Sequence, residues 1–354
     1  MRATGKTFPI AEYVRGLRPL LPDEAFLPCP SKVLRQTIPF LILVGSYIGI
    51  RYSGNWLIWL LCSLMIGHSV ACLGFFAHEL SHNTIFKNPL IRYFFEIICW
   101  GLNLVPPTVW HRVHNHTHHI HANTTADPDR QFLTSEACPT TAWYSRIFYP
   151  NNESSSLNFC VFFHFVPYIL RNTIAVFYPD QTRPTLVPAK PVYTRRERFT
   201  VTLELIAIMT LQWVIFDFVG GDFERFVFAS PVAVLITSSI VMSYIFTNHF
   251  LNPLSDSSDP LTNTTSIVVY RIFDRLHLNF SYHTEHHLFP GMNSDYYPKV
   301  SQLLTDRYGT RYNRISFGDA WNQLWKIGLY ASVEVESDRH ATSPTDRSGL
   351  TQHA

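Results

Sequence analysis

Residues 111–121 read His-Arg-Val-His-Asn-His-Thr-His-His-Ile-His, so six of eleven consecutive positions carry an imidazole. Two smaller groups accompany this stretch, His78-Glu-Leu-Ser-His82 and His283-Thr-Glu-His-His287. Together the three groups hold eleven of the 17 histidines of the 354-residue chain. Imidazole is the commonest metal ligand, and so many of them would repel one another if they were charged. The pattern therefore predicts a metal centre.

The spacing within the groups suits ligands on helices. Histidines four residues apart lie one turn apart on the same helix face and can share an ion. Three pairs have this spacing: His78 and His82, His114 and His118, and His283 and His287. His119 and His286 lie beside members of these pairs, which makes eight candidate ligands. A catalytic metal usually takes about three protein ligands and keeps one position open. Eight candidate ligands are too many for one ion and indicate two.

The composition places the chain in a membrane. Charged residues make up 15% of the sequence, against about 25% in soluble proteins. The net charge of +2 and the absence of a basic tract argue against a nucleic-acid partner. The six cysteines form no CxxC pair, which favours buried thiols in a reducing compartment over disulfides.

Four apolar segments are long enough to cross a bilayer: residues 33–50, 56–77, 199–219 and 226–246. Residues 33–335 are predicted to form one membrane domain. Five prolines within residues 1–32 predict an extended cytosolic arm, residues 130–156 read as a polar loop, and residues 336–354 as a disordered tail. The apolar segments 90–106 and 157–178 contain charged residues or proline, which favours interfacial or cavity-lining helices.

An even number of crossings brings all three histidine groups to one side of the membrane. The basic segment 179–198 lies on that side, whereas the two opposite turns carry only Arg51 and Arg225. Positive charge stays in the cytoplasm. The predicted fold class is an all-α integral membrane protein, in which a four-transmembrane-helix bundle carries a cytosolic helical cap with a histidine-ligated dimetal site.

The location also bears on the choice of metal. Imidazole suits zinc, copper, iron and nickel alike. A metal pair at the end of a hydrophobic bundle is placed to act on a lipid chain, whose C–H bonds offer nothing for an acid, base or nucleophile. Breaking them requires a redox metal and O₂, which favours iron over zinc.

The pattern HxxxH, HxxxHH and HxxHH resembles that of the membrane fatty acid desaturases. Trp110 before the second group, Asp127-Pro-Asp129 behind it and Leu288-Phe-Pro290 after the third strengthen the resemblance. The resemblance implies two iron ions, O₂ as co-substrate, and a double bond introduced into a long acyl chain of a lipid. Its electron donor would be a carrier such as a ferredoxin or cytochrome b5. The sequence has no HPGG haem motif, so the donor is expected to be a separate protein. The membrane would be a bacterial inner membrane or the endoplasmic reticulum.

A ninth ligand is predicted at His249. It ends the fourth apolar segment on the same side as His78, and members of the family carry a further histidine between the second and third groups. The asparagine that precedes this histidine by four residues in acyl-CoA desaturases is replaced here by Ile245. The alternative is a histidine that stabilises a helix C-terminus through the helix dipole.

Other functions stay open from the sequence. Hydroxylases of lipids, carotenoid hydroxylases or ketolases, sphingolipid desaturases and alkane monooxygenases share the scaffold. His78-Glu79-x-x-His82 also fits the HExxH signature of zinc proteases, with Glu79 as general base, and a histidine-rich metal transporter is a further alternative.

Within the spans, His68 is interpreted as hydrogen-bonded inside the bundle, and Glu204 is expected to face its interior. Five carboxylates could orient ligand imidazoles: Glu79, Asp127, Asp129, Asp274 and Glu285.

Overall fold

The structure, a computed structural model, describes residues 9–124, 126–129, 164–177, 192–252, 255, 257 and 259–327. The predicted loop at 130–156, the predicted tail at 336–354 and most of the basic segment 179–198 lie outside these residues.

Within these described residues, four helices are long and apolar enough to cross a membrane, as predicted. We call them span 1 (Lys32–Tyr52), span 2 (Trp56–Ser81), span 3 (Arg195–Phe218) and span 4 (Phe223–Phe250). Spans 1 and 2 join at a turn around Ser53, and spans 3 and 4 at Gly220 and Gly221, both of which have positive φ. Large apolar side chains on the outer faces are exposed, among them Leu61 and Trp213. Such apolar surface is what a bilayer covers.

Span 2 is the centre of the bundle. In its apolar stretch of 18 residues, 56% is buried, whereas the corresponding stretches of the other three spans are 22–33% buried. Spans 2 and 4 approach closely at Gly67, where a Cβ atom would lie 2.6 Å from Ile236. The hydroxyl of Thr237 donates to the Gly67 carbonyl at 2.8 Å across this contact. The small residue therefore fixes the distance between the two spans that end in predicted ligands.

The remaining elements are short. The α-helices outside the spans are Ile10–Leu17, Pro89–Leu102, Pro107–Trp110, His119–His121, Phe165–Phe177, Pro260–Asn263, Arg271–Leu276, His283–Leu288, Tyr297–Tyr308 and Phe317–Ile327. Single 3-10 turns lie at Arg18–Leu20, Asp23–Phe26, Ser294–Tyr296 and Gly309–Arg311. Residues His111–His118 form a π-helix, and span 4 has π-helical segments at Phe228–Val232 and Phe246–Phe250. Strands Ser266–Val268 and Arg314–Ser316 pair in parallel, with Ile267 opposite Ile315.

The N-terminal arm differs from its prediction. Instead of an extended chain, residues Ile10–Leu17 form an amphipathic helix. Its buried face, with Tyr13 and Leu17, packs into an apolar core that also holds Leu288 and Val300. Pro9 precedes this helix and Pro19 follows it, so neither proline interrupts its hydrogen bonds. The arm therefore packs against the helices His283–Leu288 and Tyr297–Tyr308, and we call this assembly the cap.

Span 3 supports the start of the helical segment that carries the second histidine group. The carboxylate of Glu204, 1% exposed, accepts hydrogen bonds from the backbone N–H of Thr108 at 3.1 Å and from its hydroxyl at 2.7 Å. The hydroxyl of Tyr93 donates to the same carboxylate at 2.9 Å. Glu204 thus faces the bundle interior and caps the helix that begins at Pro107.

Candidate metal centre

Four elements carry the predicted ligands to one end of the bundle. Span 2 presents His78 in its last turn, and His82 follows directly after its last residue. Span 4 presents His249 from its final π-helical segment. The π-helix at 111–118 and the helix His283–Leu288 carry the ligands of the second and third groups. π-Helical turns are rare and occur frequently at functional sites.

All nine predicted histidines converge, and they do so as two clusters. Within each cluster the candidate ligand atoms lie within 4.8 Å of one another. Cluster A consists of His78, His82, His114, His119 and His286. Cluster B consists of His118, His249, His283 and His287. The second and third sequence groups are each divided between the clusters, which interlocks the two sites.

The donor atoms are spaced as ligands of a shared ion would be. In cluster A the Nε2 atoms of His78 and His114 are 3.1 Å apart, and in cluster B those of His283 and His287 are 3.2 Å apart. Two nitrogens that bind one ion at about 2.1 Å lie roughly 3.0–3.4 Å apart. The Nε2 atom of His82 is buried and has no hydrogen-bond partner among the described residues. Both the spacing and this unsatisfied nitrogen fit a metal.

Burial decides the protonation of most of these rings. The loss of hydration, followed by the charges of neighbouring imidazoles, lowers the pKa well below the usual value for His82, His114, His119, His283, His286 and His287. A neutral imidazole has a lone pair free for a metal.

His118 differs because two carboxylates lie beside it. Burial opposes its protonation, but the charges of Asp127 and Asp129 outweigh burial and raise the pKa of His118 to about 9. Its Nδ1 atom is 2.9 Å from Asp127 and 3.4 Å from Asp129. Asp129 also lies 3.5 Å from Nδ1 of His114. These two carboxylates thus contact the nitrogens that face away from the clusters, which is the position of groups that orient metal ligands.

The other three carboxylates considered from the sequence have different partners. Glu79 forms a buried ion pair with Lys32 at 2.7 Å, Asp274 accepts a hydrogen bond from Ser281, and Glu285 accepts one from Ser266 at 2.5 Å. Glu79 is held by Lys32 and is not among the groups that could hold a metal ion. Both observations argue against its role as the general base of a zinc protease.

Sequence reasoning missed two contacts at the site. The hydroxyl of Tyr297 shares a hydrogen bond of 3.1 Å with Nδ1 of His286, and Lys32 neutralises Glu79 beneath cluster A. Neither residue lies at a spacing that would predict it. The other histidines of the second group are outside both clusters: His111 contacts Glu96 at 3.0 Å, and His116 is exposed.

A cleft leads to cluster A. The cleft is narrow, since only about 50 Å³ of it is wide enough for a water molecule. Its lining is mainly apolar and reaches His78 and His114. Spans 2 and 4 form two walls, and the helix Phe165–Phe177 contributes Phe165 and Tyr168 to a third. A narrow apolar cleft that ends at imidazoles suits a hydrocarbon chain.

The fold and the site together define a membrane protein with four spanning helices and histidine clusters able to bind metal. The chain belongs to the fatty acid desaturase family: the family model matches residues 54–318, three-quarters of the sequence. The protein is accordingly an oxidoreductase of a membrane family that acts on lipids. A comparison with curated proteins found no match.

Proposed function

We propose that this protein is an O₂-dependent desaturase that introduces a double bond into a long acyl chain of a lipid. One observation carries the proposal: nine buried or half-buried histidines converge as clusters of five and four at the end of an apolar cleft. The family and the cleft favour a hydrocarbon substrate, and the double cluster favours two metal ions.

Clusters A and B would each hold one iron ion. Two iron ions bound there would supply the oxidising power for breaking unactivated C–H bonds. They would draw it from O₂ and from two electrons of a separate carrier such as a ferredoxin or cytochrome b5. Imidazole nitrogens suit iron, and no carboxylate belongs to cluster A or B among the described residues.

The protein's own residues position the chain and exclude water. The acyl chain would lie between spans 2 and 4, beside Phe75 and Met242, with the carbons to be oxidised next to His78 and His114. Tyr168 closes the cleft from the side and donates a hydrogen bond to Asp129. This contact joins the wall of the cleft to a carboxylate that lies 3.5 Å from Nδ1 of His114 and 3.4 Å from Nδ1 of His118.

The ligand set can be tested at the residue that is hardest to predict. Nε2 of His249 lies 2.6 Å from Nε2 of His283 in cluster B. His249→Ala should insert into the membrane normally but lose most of its iron and all product. His121→Ala is the matched control, because His121 is the last residue of the second group but belongs to neither cluster. The measurements are iron per chain after purification and fatty acid analysis of the host lipids.

The same experiment separates the alternatives. The wild type should carry about two iron ions per chain. In the presence of O₂ it should yield an unsaturated product that has gained no oxygen atom. A product that has gained an oxygen atom from labelled O₂ would identify a hydroxylase or ketolase. A single zinc ion retained through chelation, or normal conversion by His249→Ala, would refute the proposed centre.

A further inference from the structure

A third group of metal-binding side chains lies away from clusters A and B. His68 and Cys72 are one turn apart on span 2, and His277 follows the helix Arg271–Leu276. One ligand atom from each lies within 4.8 Å of those of the other two. Cys72 and His277 are buried, at 0% and 3% exposure. This trio, which we call cluster C, combines two imidazoles with a thiol.

Cluster C is separate from the other two. His68 precedes His78 by ten residues on one continuous helix, a distance of about 15 Å along its axis. Phe75 and Phe280 stand between them: their rings are 4.7 Å apart, Phe75 lies 4.8 Å from the His277 ring, and Phe280 lies 5.2 Å from the His78 ring. An ion in cluster C would therefore not share ligands with clusters A or B.

The geometry of the two imidazoles suits a tetrahedral ion. Their Nε2 atoms are 3.4 Å apart, about the separation of two nitrogens at 2.1 Å from one tetrahedral ion. Nδ1 of His277 is 2.8 Å from the hydroxyl of Tyr244. A hydrogen bond from Nδ1–H to Tyr244 leaves the Nε2 lone pair for a metal, as is usual for metal-bound histidines.

A cavity supplies access and a fourth position. His68, Tyr244 and His277 line a cavity of about 560 Å³ between spans 2 and 4 and the strand Ser266–Val268. The cavity is large enough for several water molecules. Two of the three proposed ligands, His68 and His277, line this cavity, whereas Cys72 lies buried behind them. An ion held by all three would keep one position open to water on the cavity side, the coordination that zinc adopts in open sites.

We propose that His68, Cys72 and His277 form a third metal site, which binds one Zn²⁺ ion through two imidazoles and a thiolate. Thiolate and imidazole together select zinc over magnesium or calcium. When the ion binds, the Cys72 thiol gives up its proton to water and the sulfur–metal bond forms. The ion would fasten the segment Arg271–Leu276, which leads to the third histidine group, to span 2.

The test uses Co²⁺ as a spectroscopic substitute for Zn²⁺ in the purified full-length protein. Clusters A and B contain no sulfur ligand, so among the described residues cluster C is the metal-binding group that can produce a thiolate-to-cobalt charge-transfer band. We expect this band in the wild type and its loss in Cys72→Ser, together with about one zinc ion per chain. Cys99→Ser is the matched control, since Cys99 is an equally buried thiol outside the cluster.

Iron content tests independence from the proposed function. Cys72→Ser and His68→Gln should lose zinc while iron and product formation change by less than twofold. If the wild type gives no thiolate-to-cobalt band, or if Cys72→Ser keeps it, the proposal is wrong. Cluster C is then a hydrogen-bonded group, in which the Cys72 sulfur contacts Nδ1 of His68 at 3.9 Å.

Discussion

At the scale of single residues, the buried pair of Lys32 and Glu79 is the feature that most changes the interpretation of the sequence. Lys32 is 0% exposed and donates to Glu79 and to the hydroxyl of Ser294, at 2.7 and 2.5 Å. Thr84 donates to the same carboxylate at 3.1 Å. Span 1, span 2 and the 3-10 turn Ser294–Tyr296 thereby meet at this ion pair, one residue after His78. The glutamate of the HExxH pattern has a structural role.

Glu79→Gln removes the charge and keeps the shape. Because the Lys32 cation stays buried without its counter-charge, we expect a loss of about 3 kcal/mol in the free energy of unfolding. Iron content and product should persist, since Glu79 belongs to neither cluster. Thermal unfolding in detergent and metal analysis measure the two effects.

The double variant Lys32→Met/Glu79→Met is the control for this pair. Removing both charges should restore most of the stability lost in Glu79→Gln, because no uncompensated charge remains. Loss of iron without loss of stability in Glu79→Gln would instead assign Glu79 to the metals.

The sequence could name the nine histidines but could not divide them between the clusters. Their identities follow from local spacing, because residues four apart on a helix share a face. The division depends on tertiary packing: His118 and His119 are neighbours in sequence but enter different clusters. The contact between Tyr297 and His286 also leaves no signal in the local sequence.

At the scale of elements, the apolar length of the spans made them predictable, because a bilayer requires about 20 apolar residues. The helix Ile10–Leu17 was missed because its stability comes from packing against the cap, as for most short helices. The parallel strand pair was missed because its members, at residues 266–268 and 314–316, are far apart in sequence. Non-local pairs of this kind leave no periodic pattern in so few residues.

Span 3 offers a test of coupling between elements. Glu204→Leu removes the carboxylate that caps the helix Pro107–Trp110, so the N–H of Thr108 loses its partner. We expect a loss of about 1–3 kcal/mol in stability and reduced iron in cluster A, because this helix continues into the segment that carries His114. Calorimetry or thermal unfolding, with iron analysis, measures both.

Glu224→Gln is the matched control, since this glutamate is exposed at the opposite end of the bundle. It should leave stability and iron unchanged. Equal effects of the two substitutions would mean that the hydrogen bonds from Thr108 to Glu204 make no contribution to the metal centre.

At the scale of the whole molecule, the arrangement combines an apolar bundle with a polar cap around the metal centre. The N-terminal arm is tied to the cap by Tyr13, whose hydroxyl donates to Asp259 at 3.0 Å. Arg307 donates to the carbonyl of Gly16 at 2.8 Å. The two ends of the described chain therefore lie on the same side as the histidine clusters. This fixes the topology of the molecule but not its direction in the membrane.

Charge predicts the direction. The short turns at the far end carry Arg51 and Arg225, whereas the segment 192–198 beside the cap carries Arg195, Arg196 and Arg198. Because positive charge stays in the cytoplasm, the cap and the metal centre should be cytosolic. Two exposed glycines with open space around their Cβ positions allow a matched test: Gly54 in the far turn and Gly291 after the third histidine group. In intact cells, a membrane-impermeant maleimide should label Gly54→Cys above the wild-type level and leave Gly291→Cys unlabelled until the membrane is broken. The reverse pattern would place the clusters outside the cytoplasm, where a cytosolic electron carrier could not reach them.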